Sequence, residues 1–397
     1  MKTNSIIHAE KYSQYLCTGC GACINVCPVD ALTYDVDKYG FSIPSLDVSK
    51  CVECSKCVSV CPIDKTLNKA NPIKAYASLN RNEKVLMQSS SGGIFYELAK
   101  ETLNQGGFVV GCRMNSLFKA EHIIIKSKEE LPSILRSKYI QSYPGNVYKE
   151  VIALLKQGKV VLFSGTPCMV SAMKSVVGGA QYGSRLITID IACHGISSQT
   201  MFNAYLRDLE SLNGDQILNY TFRAKRKPAD GIRWFIEYRT KNKKILKNWP
   251  EDSYAYYYMK GMTFRDSCYA CRYATEQRIS DITLCDFWGW NKVGVKFPTS
   301  ESVSGVLLNT EKGLDLFNKC KALLLTQQTS VDAIVKYNKS MSEPMKKPEG
   351  RSAFFETLNK CGYKEIRLKF QKNHRKGIIK GHITRLLPYR ILELINK

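Results

Sequence analysis

Cys17-Thr18-Gly19-Cys20-Gly21-Ala22-Cys23-Ile24-Asn25-Val26-Cys27-Pro28 is matched 34 residues later by Cys51-Val52-Glu53-Cys54-Ser55-Lys56-Cys57-Val58-Ser59-Val60-Cys61-Pro62. Both runs read C-x2-C-x2-C-x3-C-P. Three thiolates at that spacing wrap one cubane from a tight loop, while the fourth, with a helix expected to open after the proline, ligates the neighbouring cluster. The spacing therefore predicts one [4Fe-4S] cluster on Cys17, Cys20, Cys23 and Cys61, and a second on Cys51, Cys54, Cys57 and Cys27. Gly19 and Gly21 suit a loop that must take positive φ around a cluster. Zinc sites present paired C-x2-C or Cys/His ligands to a tetrahedral ion, which leaves the third cysteine and the duplication unexplained.

Outward from this unit, 397 residues suffice for two or three domains. No run approaches about 20 apolar residues, so a transmembrane helix is not expected. Residues 1 to 10 lack an apolar signal core, and with this cysteine usage a reducing, cytoplasmic setting is expected. The formal charge of +23 counts ligand cysteines as neutral and so overstates the surplus. It remains basic. Its cations are spread along the chain without a nucleic-acid motif, so an anionic protein donor, a phosphate-bearing cofactor or a membrane surface is the expected partner, and nucleic acid is not. A zinc-dependent nucleic-acid-binding protein is the reading from another class, and it predicts a colourless protein with salt-sensitive binding.

Between the runs, residues 31 to 47 alternate as a hairpin turning near Lys38 to Gly40, and Asn71-Pro72 reads as a linker. Ser89-Ser90-Ser91-Gly92-Gly93 then opens an apolar helix stopped by Gly106-Gly107. Such a loop offers amides and a helix dipole to an anion, and an ordinary N-cap explains it as well. Phe108 to Cys112, Ile123 to Ile125, Val160 to Phe163 and Leu186 to Ala192 read as buried strands, alternating with helices such as Val147 to Gln157. The pattern predicts a largely parallel sheet. Cys168 and Cys193 follow strand ends, on the edge where open α/β sheets hold ligands. With the pair Cys268 and Cys271 they make four thiolates, enough for a third cubane, with Cys112 and Cys285 as competing ligands.

Six ordered motifs carry a family resemblance: Ser90-Ser91-Gly92-Gly93; Ser137-Lys138-Tyr139-Ile140-Gln141-Ser142; Phe163-Ser164-Gly165-Thr166-Pro167-Cys168; Cys193-His194-Gly195; Cys268-Tyr269-Ala270-Cys271; and Ser280-Asp281-Ile282-Thr283-Leu284-Cys285-Asp286-Phe287-Trp288-Gly289. Residues 74 to 313 resemble the coenzyme F-420 hydrogenase/dehydrogenase beta-subunit family, many of whose members carry a two-cluster ferredoxin segment in front. The resemblance implies FAD and a [4Fe-4S] cluster in the flavin domain. Matched position by position, it assigns that cluster to Cys168, Cys193, Cys268 and Cys271. It also assigns flavin phosphate binding to Ser90, Ser91, Gly92 and Gly93, and a place near flavin or substrate to Lys138, Tyr139, Gln141 and Ser142. Ser164, Gly165 and Thr166 join the cofactor-binding set. Cys285 stands where the family pattern has glycine, leaving the fourth ligand open. Members include deazaflavin-dependent subunits and ferredoxin-driven pigment reductases, so the family does not fix the substrate.

The expected fold is α+β or α/β, a small two-cluster ferredoxin-like domain (1–68) fused to a mixed, largely parallel α/β flavin domain (74–340), with a basic amphipathic segment (341–397). The expected function is that of an iron-sulfur flavoprotein oxidoreductase. It would pass electrons between ferredoxin-type clusters and an organic two-electron substrate through FAD, with a ferredoxin or an oxidoreductase subunit as redox partner. The alternative is an electron-transfer subunit without a substrate site, feeding a partner enzyme. His194 and His122 are the candidate proton donors, against a satisfied structural role for each. Tyr254, Tyr256, Tyr257, Tyr258, Trp288 and Trp290 are read as pocket wall, core or flavin-stacking rings. From Met345 onward fourteen Lys or Arg stand against four Glu. Ile379, Ile383, Leu386, Leu387, Ile391, Leu394 and Ile395 recur there at helical spacing, broken at Pro388. This helix is expected either to lie on an anionic membrane face or to pack on a protein surface.

Overall fold

The computed structural model describes residues 15–63, 68–178, 182–226, 233–297 and 302–387. In the first cysteine run, α1 (Ala22–Asn25) carries Cys23. The chain then forms the hairpin β1 (Leu32–Val36) and β2 (Ser42–Leu46), and α2 (Lys56–Ser59) carries Cys57. The hairpin is antiparallel, Leu32 facing Leu46, and Asp37 Oδ1 closes its turn by accepting from the amides of Tyr39 and Phe41, both at 2.9 Å. The expected helix after Pro28 is a misreading, since a turn follows it; the helical turns lie before Cys27 and Cys61, and residues 64–67 after Pro62 lie outside the described residues. The left-handed residues at the head of each loop start the helix early. Gly19 and Gly21 have φ of 66° and 75°, and their repeat partners Glu53 and Ser55 hold 53° and 55° without glycine's freedom.

The large domain is built from β3 (Lys74–Asn80), α3 (Glu83–Gln88), α4 (Ile94–Asn104), β4 (Phe108–Met114), β5 (Ala120–Ile125), α5 (Leu131–Ile134), α6 (Val147–Lys156), β6 (Val161–Gly165), α7 (Pro167–Val177) and β7 (Leu186–Ile191). It continues through α8 (Gln199–Asn213), β8 (Asn219–Arg226), β9 (Arg233–Arg239), β10 (Lys244–Lys247), α9 (Ser253–Met259), β11 (Ile282–Asp286), β12 (Ser304–Leu308), α10 (Glu311–Cys320), β13 (Leu324–Thr329) and α11 (Val331–Val335). The described residues form an eight-stranded sheet in the order β13-β3-β12-β11-β7-β6-β4-β5. The central pairs β4 with β6, β6 with β7 and β7 with β11 are parallel. The flanks are antiparallel, through β4–β5 on one side and β11–β12–β3–β13 on the other. Val161, Leu162 and Phe163 are fully buried, as a central strand covered on both faces requires. Leu98 of α4 and Phe317 of α10 fill one core, and Val151 of α6 with Val170 of α7 another.

A smaller sheet, β10-β9-β8, packs with α8 and α9 over a third core. That core also takes Phe354, Phe355, Leu358, Tyr363 and Ile366 from α12 (Arg351–Asn373), after which comes α13 (Arg375–Leu386). Arg367 pairs with Asp208 of α8 at 2.7 Å. Of the terminal apolar repeat, Ile391, Leu394 and Ile395 lie outside the described residues.

Candidate functional site

The parallel register sets two cysteines side by side. Gly165, the last residue of β6, faces Asp190 near the end of β7. Three residues beyond each partner come Cys168, in the first turn of α7 behind Pro167, and Cys193. Proline suits that helical position because its missing N–H would have no partner there anyway. Cys268 ends a short turn whose amide bonds back to Arg265 O at 3.0 Å, and Cys271 follows on the same loop.

These four thiols and those of Cys17, Cys20, Cys23 and Cys61 wall one cavity of about 490 Å³. Cys17, Cys20 and Cys23 of the first run thus meet Cys61 of the second in the same cavity. Burial pushes the thiols of Cys20, Cys23, Cys168, Cys193, Cys268 and Cys271 upward, those of Cys168 and Cys268 to about 12. Crowding adds to it: Cys268, Cys168 and Cys271 all disfavour the Cys193 thiolate, and Cys20, Cys17 and Cys61 that of Cys23. Among the described residues no three His, Cys, Asp or Glu side chains close on one metal-ion position. Thiols spread around a cavity suit a multi-iron core, whose corners they reach one each. The residues fit iron-sulfur clusters on this chemistry. Cys54 is exposed and Cys27, Cys51 and Cys57 are partly buried, so the second N-terminal set lies nearer solvent.

Long-range hydrogen bonds fix the N-terminal unit over the large domain. Arg265, only 2% exposed, donates to Cys17 O at 2.6 Å and Ser42 O at 2.9 Å. Tyr148 reaches Cys20 O at 3.0 Å, and Ser175 reaches Val60 O at 2.7 Å. Gln141 Oε1 accepts from the Ser42 amide at 2.9 Å.

A second cavity of about 780 Å³ adjoins the first, and Thr18, Gly19, Thr166, Cys168, Cys193, His194, Gly195 and Ile196 line both. Its walls also carry Ser90, Ser91, Gly93, Lys138, Tyr139, Gln141, Ser142, Ser164 and Gly165. Gly92 lies behind them: its amide bonds Ser304 Oγ at 2.8 Å, and a Cβ there would meet Ser78 O at 2.5 Å. Gly93, at φ 79°, starts the eleven-residue α4 without a side-chain cap, which leaves the helix N-terminus open to an anion. His122 is buried on the cavity wall against Phe163, its ring nitrogens without hydrogen-bond partners, and burial pushes it down to about 4. Aliphatic walls, an uncapped helix start and an orphaned imidazole fit a flat heteroaromatic group bearing phosphates.

Cys112 and Cys285 line this larger cavity and not the thiol-walled one. His194 lies between the two, lowered by burial against the pull of Asp286. Tyr258 and Trp288 are on the larger cavity's wall. Tyr254 donates to Tyr139 O at 2.9 Å, Tyr256 and Tyr257 pack at a tilt against Phe370 and Phe354, and Trp290 packs on Phe297.

Sequence reasoning missed Arg223, Trp234 and Ser304. Arg223 grips Asp286 at 2.6 and 3.3 Å beneath Trp234, whose ring centroid is 4.9 Å from the guanidinium. Burial opposes its charge, but Asp286 and Tyr139 more than offset this and hold it above its ordinary value. No local signal marks these positions, because β8, β9 and the start of β12 approach the cavity only through tertiary packing.

Lys138 spends its amine on the carbonyls of Leu135 (2.6 Å), Cys112 (2.7 Å) and Arg136 (3.1 Å), which ties β4 to the following loop. Burial pushes it down to about 8. Below that value the amine is charged in folded and unfolded chains alike. Between about 8 and the ordinary lysine value near 10.4, the unfolded chain binds more protons. Stability from this site is therefore expected to rise with pH across that window. Urea melts of Lys138→Met should lack that rise, and a rise identical to that of the parent protein would refute the assignment.

Residues 158–332 match the family model for the C-terminal part of the coenzyme F420 hydrogenase/dehydrogenase beta chain, and residues 16–65 match the 4Fe-4S dicluster domain. Among solved structures the chain is similar to one from the F420-reducing [NiFe] hydrogenase complex of Methanosarcina barkeri, studied as a xenon derivative. The identity is 14% over 73% of this chain and 94% of that one, with a TM-score of 0.47. No curated protein matches the chain. The chain thus matches, over residues 158–332, the C-terminal part of the coenzyme F420 hydrogenase/dehydrogenase beta-subunit family, and matches a 4Fe-4S dicluster domain at residues 16–65 in front of it.

Proposed function

We propose that the chain is an iron-sulfur flavoprotein oxidoreductase of the reducing cytoplasm, with three [4Fe-4S] clusters, one FAD and a protein redox partner. The observation that carries this reading is the pair of adjoining cavities, one walled by eight cysteines and the other by the Ser/Gly loop, with Cys168 and Cys193 in the wall between them. Bound there, the clusters would supply one-electron transfer and the flavin the conversion to a two-electron or hydride transfer.

The residues of the chain have separable tasks in this reading. Cys27, Cys51, Cys54 and Cys57 would hold the cluster nearest solvent, where a partner docks. Cys17, Cys20, Cys23 and Cys61 would hold the next, and Cys168, Cys193, Cys268 and Cys271 the third, beside the flavin cavity. Arg265 and Gln141 fix the spacing by holding the N-terminal unit through its backbone. The uncapped start of α4 would receive the flavin phosphates, with Ser90 and Ser91 beside it. His122, neutral near pH 7, would serve as a hydrogen-bonding group at the cavity wall, and its lowered pKa speaks against the expected role as proton donor. Arg223, neutralised by Asp286, braces that wall without adding a free charge.

Anaerobic purification with iron, sulfide, zinc and flavin analysis tests this. The expected result is about twelve iron atoms per chain, from three sites of four, with stoichiometric flavin. About eight iron atoms would remove the third site, and absence of flavin would remove the enzymatic reading in favour of an electron-transfer subunit.

A further inference from the structure

We propose that α13 docks this protein on an anionic lipid surface, a role that does not rest on the cofactor assignments above. One face of the helix is held against the short turn before α9. Asn248 donates to Gly381 O at 2.8 Å and to Thr384 Oγ1 at 3.2 Å, and Glu251 takes His382 and Arg385, each at 3.2 Å. Gly381 allows the approach, since a Cβ there would meet Glu251 Cγ at 2.9 Å.

The opposite face carries the apolar residues outward. Ile379, Ile383 and Leu386 are 50%, 51% and 69% exposed. Steps of four and three residues set them on one stripe. No described element covers that stripe. Its flanks are cationic: residues 371–387 hold Lys372, Arg375, Lys376, Lys380 and Arg385 and no Asp or Glu. Arg385 is spent on Glu251, whereas Arg375, Lys376 and Lys380 are exposed.

An outward apolar stripe edged by lysine and arginine is the pattern of a helix lying in a headgroup layer, where hydrophobic insertion and attraction to anionic lipid act together. An acidic protein groove would accept the same charges but does not account for three aliphatic side chains at the crest. No helix among the described residues is long and apolar enough to cross a membrane, so the contact is peripheral. Lys380 and Thr384 of α13 also line the larger cavity. Docking would therefore set that cavity's rim at the lipid boundary.

Co-sedimentation of the full chain with phosphatidylcholine vesicles, with and without about one-third phosphatidylglycerol, tests the proposal. Binding is expected to the anionic vesicles, and to fade near 1 M salt, where the screening length is about 3 Å. Ile379→Asp with Ile383→Asp, and separately Arg375→Glu with Lys376→Glu, should each weaken binding by about tenfold. Unchanged melting and visible absorption would establish that both variants fold. Absence of binding to anionic vesicles, equal binding to neutral ones, or undiminished binding by both variants would overturn the proposal. So would lipid-free self-association that the isoleucine variant abolishes.

Discussion

Replacing Cys168 with serine is expected to lower bound iron from about twelve to about eight atoms per chain, one cubane's worth, while the N-terminal pair stays loaded. Serine keeps the side chain's size and its place in the first turn of α7, so the fold should survive. The oxygen is a poorer partner for iron than a thiolate. The effect should stay local, because on the proposed ligation the two N-terminal sets draw their ligands from residues 17 to 61 alone. Anaerobic iron and sulfide analysis, with visible spectra, reads the result. Unchanged iron would transfer the ligand role to Cys112 or Cys285, although both line the larger cavity and not the thiol-walled one. A loss of about eight atoms would mean that the adjoining sites cannot be filled independently.

The largest stability effect is expected from Arg278→Met. Arg278 is 2% exposed and donates to Asp190 at 2.9 Å, to the carbonyls of Tyr273 and Thr275 at 3.1 Å, and to Thr283 Oγ1 at 3.2 Å. Asp190 is fully buried, and its other oxygen has no hydrogen-bond partner. Removing the guanidinium strands that carboxylate, a defect that costs about 3–5 kcal/mol. The same change frees the loop just after Cys271, so occupancy of the proposed third cluster should fall with stability. Asp190→Asn added to Arg278→Met should recover part of the loss, because the stranded charge is gone. Urea melts under anaerobic conditions measure both. A loss below about 1 kcal/mol would show that Asp190 finds another partner, and equal losses in single and double variants would show that the bonds to Tyr273 and Thr275 dominate.

The ferredoxin-like unit was legible because its chemistry is written in short-range spacing: the 34-residue repeat, the hairpin between the runs, and the glycines at positive φ. The strand-end positions of Cys168 and Cys193 were legible too, since buried parallel strands read as continuous apolar runs. Periodicity did not reveal the antiparallel flank of β12, β3 and β13. A buried strand has the same composition in either direction, and its partners lie more than 200 residues apart in the chain. Helix placement around Cys27 was misread, because left-handed backbone at Gly21 starts the helical turn before the proline.

By itself the sequence determined which atoms are available: two four-cysteine runs of identical spacing, further cysteines at strand ends and on a C-x2-C loop, a Ser/Gly loop before a helix, and a basic final helix with an apolar stripe. Those follow from neighbours in the chain, whose geometry is fixed by bond lengths and backbone torsions. Only the tertiary structure decided that Cys17, Cys20, Cys23 and Cys61 share one cavity with Cys168, Cys193, Cys268 and Cys271, and that Arg265 and Gln141 carry the N-terminal unit. It alone showed Arg223 bracing Asp286, and the apolar stripe of α13 turned to solvent. These depend on how distant segments pack, and packing is settled by shape and burial across the whole chain, where local spacing has no say.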